Sequence, residues 1–113
     1  MPHLVIEYSE TIEKTHSINE LILACDKAAN KSGLFGEKDI KVRAYPCKTS
    51  LVGGHDLPFI HVTVKLLSGR DQETKKSLTD MVLKELLDCE VPASSLTVEA
   101  VDIERETYSK VTK

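Results

Sequence analysis

The first half of the chain changes from one rhythm of apolar and polar positions to another. Residues 4–8, Leu-Val-Ile-Glu-Tyr, alternate with the period of two that is typical of a strand. Over about 17–32 the apolar residues recur instead at helical spacing, and a second alternating stretch over about 39–46 predicts another strand. The apolar stripe of the predicted helix consists of Ile18, Leu21, Ile22, Cys25, Ala28 and Ala29.

Both ends of this helix carry sequence signals. Ser17 and Glu20 have the spacing of a capping box, in which the hydroxyl and the carboxylate bind the first unpaired backbone amides of a helix. Gly33 stands where a residue in the left-handed conformation commonly ends a helix. We therefore expect the helix to begin close to Ser17 and to end just before Gly33.

The second half of the chain repeats the same order. Residues 58–66 alternate as a strand does, and Pro58 precedes this stretch much as Pro2 precedes the first one. Asp71 is suited to cap the next helix, and residues 95–104 predict a last strand. The apolar stripe of this second helix would be Leu78, Met81, Val82, Leu86 and Cys89.

These elements predict an α+β fold of two β-α-β units, residues about 1–57 and 58–113, joined by a turn at residues 53–56. Because such crossovers have one preferred hand, both helices should cover the same face of a four-stranded sheet. The other face would carry apolar and cationic side chains together, which suggests self-association. A ferredoxin-like split arrangement also places two helices on one side of four strands, and periodicity does not distinguish the two. The residues expected on the open face include Val5, Lys41, Arg43, Phe59, Val101 and Ile103.

Composition narrows the class of protein. A length of 113 residues fits one domain spanning residues 1–113, with the apolar fraction of 41% and the charged fraction of 29% of an ordinary globular protein. No apolar run is long enough for a membrane span, and the stretch after Met1 is interrupted by Glu7 and lacks a cleavage site, so we expect a soluble, cytoplasmic protein. A net charge of -3 with 4% aromatic residues offers neither the basic field nor the stacking surface that nucleic-acid binding uses.

The three cysteines, Cys25, Cys47 and Cys89, are odd in number, and no Cys-x-x-Cys pair occurs. This spacing argues against a disulfide framework and against a structural zinc site. Cys25 falls on the helical stripe, where we expect a small buried apolar residue.

Several segments together resemble the 5-carboxymethyl-2-hydroxymuconate isomerase family of the tautomerase superfamily, which also includes 4-oxalocrotonate tautomerase and macrophage migration inhibitory factor. The similarity extends over most of the chain in the same order. It implies the fold of two β-α-β units, a homotrimer, and catalysis by an amino-terminal proline without metal or cofactor. The segments that carry it are Met1-Pro2-His3, Gly33-Leu34-Phe35, Ile40-Lys41-Val42-Arg43, Phe59 to Lys65 and Ser68-Gly69-Arg70.

The resemblance makes Pro2 the catalytic candidate. Removal of Met1 would leave the Pro2 nitrogen as a secondary amine anchored directly on the end of a strand. A free α-amino group has an ordinary pKa of about 8, and burial beside cations disfavours its protonated form. An amine with a pKa near neutrality can remove a proton next to a carbonyl group and return it at another carbon.

The substrates implied by the resemblance carry several carboxylates, so cationic partners are required. Arg43 and Arg70 match the motifs of the family and are the expected carboxylate ligands, with Lys41 on the same strand face as a further candidate. Lysine lacks the planar fork with which arginine binds a carboxylate through two bonds. His3, His55 and His61 are expected to have structural roles.

The function implied by the resemblance is an isomerase that converts an unsaturated 2-hydroxy (dienol) polycarboxylic acid to its 2-oxo isomer, with a small carboxylate as substrate. Two alternatives stay open at the level of sequence. One is a keto-enol tautomerase of another 2-oxo acid, such as an aryl pyruvate. The other is a trimeric binding protein of the same fold without catalytic activity.

Overall fold

The computed structural model describes the whole chain, Met1–Lys113. Short 3-10 helices at Glu10–Lys14, Glu37–Asp39 and Arg105–Thr107, which the apolar pattern did not indicate, lie between and after the main elements. Neither α-helix has both the length and the apolar composition that a membrane-spanning helix requires. The main elements are β1 (His3–Ser9), α1 (Ile18–Lys31), β2 (Lys41–Cys47), β3 (Phe59–Leu67), α2 (Gln72–Asp88) and β4 (Ser95–Ile103).

The four strands form one sheet in the order β2-β1-β3-β4. β1 is parallel to β2, β3 is parallel to β4, and the two units meet where β1 and β3 pair in antiparallel fashion. In a split arrangement a third strand would separate the two strands of each unit. Here the strands of each unit are direct neighbours, which confirms the α+β fold of two β-α-β units and excludes the ferredoxin-like alternative.

The core lies between one face of the sheet and the two helices. The alternation predicted for β1 and β3 is observed, because every second side chain of these strands is fully buried against the helical stripes. Cys25 is part of this core, and burial raises the pKa of its thiol to about 12, as expected of an inert buried cysteine. The largest fully buried side chains include Leu4, Ile6, Leu21, Ile60, Leu66, Leu78 and Leu86.

The open face has its cations at one end. His3 is paired with Lys41 on β2 and with Lys65 on β3. One step further along, Val5 is paired with Arg43. Because side chains two residues apart share a face, His3, Lys41, Arg43 and Lys65 form a basic group beside the amino terminus.

The two α-helices begin in different ways. The Asp71 carboxylate accepts a hydrogen bond of 2.8 Å from the backbone N–H of Thr74, as the sequence predicts for the start of α2. The expectation for Ser17 is wrong in its detail: α1 begins directly after it, but its hydroxyl makes no capping hydrogen bond. Burial of the helical stripe therefore fixes the start of α1 without help from that side chain. Gly33 has φ +71°, the left-handed conformation expected after the helix.

One charged residue departs from the predicted stripe of α2. Glu85 is 9% exposed and lies between the helices. Its carboxylate pairs with the ammonium groups of Lys31 at 3.2 Å and Lys27 at 3.6 Å, one helical turn apart on α1. A buried carboxylate needs such partners, which the spacing within α2 alone does not indicate.

Candidate active site

The amino terminus is enclosed at the basic end of the sheet. Pro2 is fully buried, and Met1 is only 7% exposed. The Met1 ammonium donates a hydrogen bond of 2.9 Å to the backbone carbonyl of Asp39, and the backbone N–H of Lys41 donates one of 3.1 Å to the carbonyl of Pro2. These backbone contacts fix the position of the first two residues against the start of β2.

Electrostatics at this position disfavour a protonated amine. Burial lowers the pKa of the terminal amine first, and the positive charge of Lys41 lowers it further. The Lys41 ammonium donates a hydrogen bond of 2.9 Å to the Asp39 carbonyl. The terminal amine donates to the same carbonyl, so two cations share one acceptor. The Asp39 carboxylate opposes this effect, but it is paired with Lys110 at 3.0 Å.

A groove of about 390 Å³ opens beside this cluster. Four lysines contribute to its wall, and the other four lining residues all lie in the carboxyl-terminal segment. Such a concentration of ammonium groups favours an anionic ligand. The lining residues are Lys38, Lys41, Tyr108, Ser109, Lys110, Val111, Thr112 and Lys113.

Arg43 is held by a histidine. The Nη1 of Arg43 lies 3.1 Å from Nδ1 of His3, and Nε2 of the same ring lies 3.0 Å from the hydroxyl of Tyr108. Burial, followed by the charges of Arg43 and Lys41, lowers the pKa of His3. The half-buried Arg43 guanidinium is thus oriented within the basic end of the open face.

Arg70 has different neighbours. One of its terminal nitrogens donates a hydrogen bond of 3.0 Å to the carbonyl of Leu34. Its guanidinium carbon lies 5.0 Å from the centre of the Phe35 ring, in a cation–π contact. Within the single chain the structure therefore brings Pro2, Lys41 and, through His3, Arg43 together, whereas Arg70 is anchored to the segment that follows α1.

The carboxyl-terminal segment is the part of the site that sequence reasoning missed. Tyr108 and Lys110 reach the amino-terminal end through His3 and Asp39, across more than seventy residues of chain in each case. Neither residue lies in a periodic stretch. The available signal was weak: a single tyrosine and two lysines in an otherwise polar tail.

The other histidines lie away from this cluster. His61 is on the open face, with its ring nitrogens 2.7 Å from the Thr97 hydroxyl and 2.6 Å from the Glu99 carboxylate. His55 is exposed in the turn, where it pairs with Val52 through the backbone. No three His, Cys, Asp or Glu side chains come together in a geometry that would hold a metal ion.

Comparisons with known proteins agree with one another. The family model described as 5-carboxymethyl-2-hydroxymuconate isomerase matches residues 2–110, starting at Pro2. A 5-carboxymethyl-2-hydroxymuconate Delta-isomerase of Escherichia coli is 26% identical over 86 residues, which cover 74% of this chain and 68% of that protein.

Solved structures share the fold. The crystal structure of a 5-carboxymethyl-2-hydroxymuconate delta-isomerase superposes with a TM-score of 0.84 at 18% identity, covering all of this chain and 89% of the other. A 5-carboxymethyl-2-hydroxymuconate isomerase from Deinococcus radiodurans R1 gives 0.77 at 24% identity, with coverage of 99% and 90%. A fused 4-OT described as an asymmetric trimer gives 0.76 at 18% identity, with coverage of 96% and 91%.

Proposed function

Because the chain belongs to the 5-carboxymethyl-2-hydroxymuconate isomerase family, we propose that it moves a proton within an unsaturated 2-hydroxy polycarboxylic acid to give the 2-oxo isomer. The Pro2 amine, freed when Met1 is removed, acts as the base and then as the acid. The reaction uses no cofactor, because the same nitrogen takes up and returns the proton.

The observation that carries this proposal is the environment of the amino terminus. Burial and the positive charge of Lys41 lower the pKa of the Met1 amine from its ordinary value of 8.0. After Met1 is removed, the free nitrogen is that of Pro2, one residue further along at a fully buried position beside Lys41, and we expect the same causes to lower its pKa. A base is most effective when its pKa lies near the working pH, because it is then both unprotonated and strongly basic. The environment therefore favours proton transfer at the amino terminus itself.

Loss of Met1 prepares the site in two ways. It converts the Pro2 nitrogen from a tertiary amide, which cannot accept a proton, into a secondary amine. It also vacates the space that the nearly buried Met1 side chain fills beside that nitrogen. Lys41 lines the groove and binds the same Asp39 carbonyl as the terminal amine, so the proposed path of the substrate to the amine runs from the groove past Lys41.

The proton transfer balances within the substrate. Pro2 removes the proton of the 2-hydroxy group, and the oxygen electrons form the 2-oxo carbonyl. The first carbon–carbon double bond shifts by one position, and the electrons of the second double bond accept the proton from Pro2 at the far carbon of the dienol. No oxidant or reductant is needed, and cations near the carboxylates and the oxygen stabilise the intermediate charge.

The three cationic candidates have distinct roles in this proposal. Arg43 and Lys41 bind carboxylates at the basic end of the open face. Arg70, stacked on Phe35, presents its remaining N–H groups to a further carboxylate. The Arg43 side chain makes one hydrogen bond within the chain, to His3. Its planar guanidinium therefore keeps further N–H groups with which it can bind a carboxylate through two parallel hydrogen bonds.

We also propose that three copies assemble through the open face. Apolar residues such as Val5 and Ile103 are incompletely covered there, and Val101 is 38% exposed. Two fused 4-OT structures with the same fold are described as trimers. Assembly would cover this face and enclose the basic end of the sheet between neighbouring copies.

The test measures the turnover of a 2-hydroxymuconate by the purified protein. Intact-mass measurement first confirms that Met1 has been removed. Pro2→Ala should reduce kcat by about 10²–10⁴-fold, because it replaces the ring amine that serves as base and acid. Pro92→Ala, at an exposed position between α2 and β4, is the matched control and should retain most of the activity. Undiminished turnover in Pro2→Ala would refute the requirement for a ring amine, because the variant keeps only a primary terminal amine after Met1 is removed.

A binding protein without catalytic activity is the second candidate, and one observation favours it. Met1 is nearly buried and its amine donates a hydrogen bond to the Asp39 carbonyl, so the fold has room for the unprocessed amino terminus. If the mature protein keeps Met1, the Pro2 nitrogen stays an amide. Intact-mass measurement of protein made without an amino-terminal tag separates the two candidates.

A further inference from the structure

His3 connects a proposed substrate ligand to the carboxyl-terminal segment. Its ring stands between the Arg43 guanidinium at 3.1 Å and the Tyr108 hydroxyl at 3.0 Å. We propose that His3, in the neutral tautomer with its proton on Nε2, is a positioning residue that aims Arg43 at a carboxylate of the substrate. This inference rests on the proposed function, in which Arg43 binds that carboxylate.

The hydrogen-bond partners determine the tautomer. A guanidinium has only N–H donors and stays protonated in proteins, so the contact from Arg43 requires a lone pair on Nδ1. In a neutral ring the other nitrogen, Nε2, then carries the proton and donates it to the Tyr108 oxygen. Tyr108 can accept this bond and still direct its own hydroxyl proton elsewhere.

The charges that face His3 also favour the neutral ring. Lys41 and Arg43 approach from β2, Lys65 from β3, and the terminal amine from the same end of β1. The His3 ring makes hydrogen-bond contacts with two groups, the positively charged Arg43 guanidinium and the uncharged Tyr108 hydroxyl. Burial and these cations together lower the pKa of His3.

Protonation would therefore undo the arrangement. A proton on Nδ1 removes the acceptor for Arg43 and places two positive groups in contact. Arg43 would then turn away from His3 and lose the orientation in which its fork meets the carboxylate. Substrate binding should weaken as the pH falls through the pKa of His3, while the chemistry of bound substrate is affected much less.

Nuclear magnetic resonance tests the tautomer without any activity measurement. Long-range proton–nitrogen correlation of the histidine rings, with His3 assigned from His3→Asn, should show the Nε2–H form at neutral pH. Arg43→Met should raise the pKa of His3 and allow both tautomers. Lys65→Met, the control, removes one nearby charge without touching the hydrogen bond and should leave the tautomer unchanged. A proton on Nδ1 in the wild type, or an unchanged His3 in Arg43→Met, would overturn the proposal.

Kinetics on a 2-hydroxymuconate then test the positioning role. His3→Leu should raise KM about tenfold with kcat within about twofold, because binding alone loses its oriented ligand. His3→Asn places an amide oxygen close to the position of Nδ1 and should recover most of the lost affinity. It should also remove the rise of KM at acidic pH, since an amide does not titrate there.

The outcomes separate this proposal from the proposed function. A large loss of kcat in His3→Leu, or an acid rise of KM that persists in His3→Asn, would contradict the positioning role even if Pro2 is the base. If Pro2→Ala is fully active, the proposed role of the Pro2 ring amine fails. The tautomer of His3 and its dependence on Arg43 would still be measured independently by nuclear magnetic resonance.

Discussion

At the scale of single residues, the amino-terminal amine takes its character from its neighbours. Lys41 contributes both a positive charge and a competing donor to the carbonyl of Asp39 that the amine binds. The Asp39 carboxylate acts in the opposite direction and raises the pKa of this amine, although it is paired with Lys110, whose own charge lowers that pKa. The lowered pKa of the Met1 amine is therefore a consequence of burial first and of the surrounding cations second.

We predict that Lys41→Met raises the pKa of the terminal amine, because one of the charges that lower it is removed. In the processed enzyme the acidic limb of the kcat profile, which the proposed titration of His3 affects much less than KM, should move to higher pH, since more of the Pro2 amine is then protonated near neutrality. Lys38→Met is the control, because Lys38 lines the groove without contacting the amine. An acidic limb that stays in place in Lys41→Met would show that this charge does not act on the base.

Part of this residue-scale account could be predicted from the sequence. The resemblance supplied Pro2, Arg43, Lys41 and Arg70, and the alternation of β2 placed Lys41 and Arg43 on one face. Contacts such as that between His3 and Tyr108 join residues 105 positions apart, and no local pattern encodes them. The roles of the four candidate residues themselves stay predictions until the experiments above are done.

At the scale of elements, the two α-helices differ in whether a side chain caps their first turn. α2 has a side-chain cap from Asp71 to the Thr74 amide, whereas α1 follows Ser17 without one. The hydrogen bond from Thr74 lowers the pKa of Asp71, because it favours the ionised carboxylate. This cap stabilises the fold above the ordinary pKa of an aspartate and is lost as the pH falls through the lowered value.

We predict that Asp71→Ala lowers Tm by roughly 5 °C at neutral pH, because the amide of Thr74 loses its partner. Ser17→Ala is the matched control and should change the free energy of unfolding by less than about 0.5 kcal/mol, since no capping bond is lost. Thermal unfolding followed by circular dichroism measures both. Equal losses in the two variants would mean that the capping hydrogen bond is not what distinguishes the helices.

The order and the approximate bounds of the elements were predictable because the strand period of two and the helical spacing of apolar residues are both strong in this sequence. The strand pairing was not, since parallel neighbours and a split arrangement give the same alternation along each strand. The Ser17 prediction failed because a capping box is a tendency of sequence that a well-packed helix does not need. Glu85 was unexpected within α2 because its partners, Lys27 and Lys31, lie on the other helix.

At the scale of the whole molecule, one face of the sheet is covered by helices and the other is open. The open face combines a basic end with apolar positions on β1 and β4 and with the His61–Glu99 pair. A sheet face with exposed apolar side chains is stabilised when a second copy covers it. In the proposed trimer, self-association would therefore contribute to the active site as well as to the stability of the protein.

We predict a solution mass three times the 12.6 kDa of one chain, measured by analytical ultracentrifugation. Ile103→Asp should shift the population toward smaller species, because it places a carboxylate among the apolar side chains of the open face. Leu23→Asp is the control on the opposite side of the molecule, where Leu23 is 67% exposed on α1. A monomeric wild type, or loss of assembly in Leu23→Asp as readily as in Ile103→Asp, would contradict this interface.

The central claim is that the unblocked nitrogen of Pro2 transfers the proton. Its most direct test compares two preparations of the same chain, one with Met1 removed and one that keeps it, each verified by intact mass and assayed for ketonisation of a 2-hydroxymuconate. The account predicts turnover in the processed protein and a loss of at least about hundredfold when Met1 stays in place. Equal rates in the two preparations would contradict it.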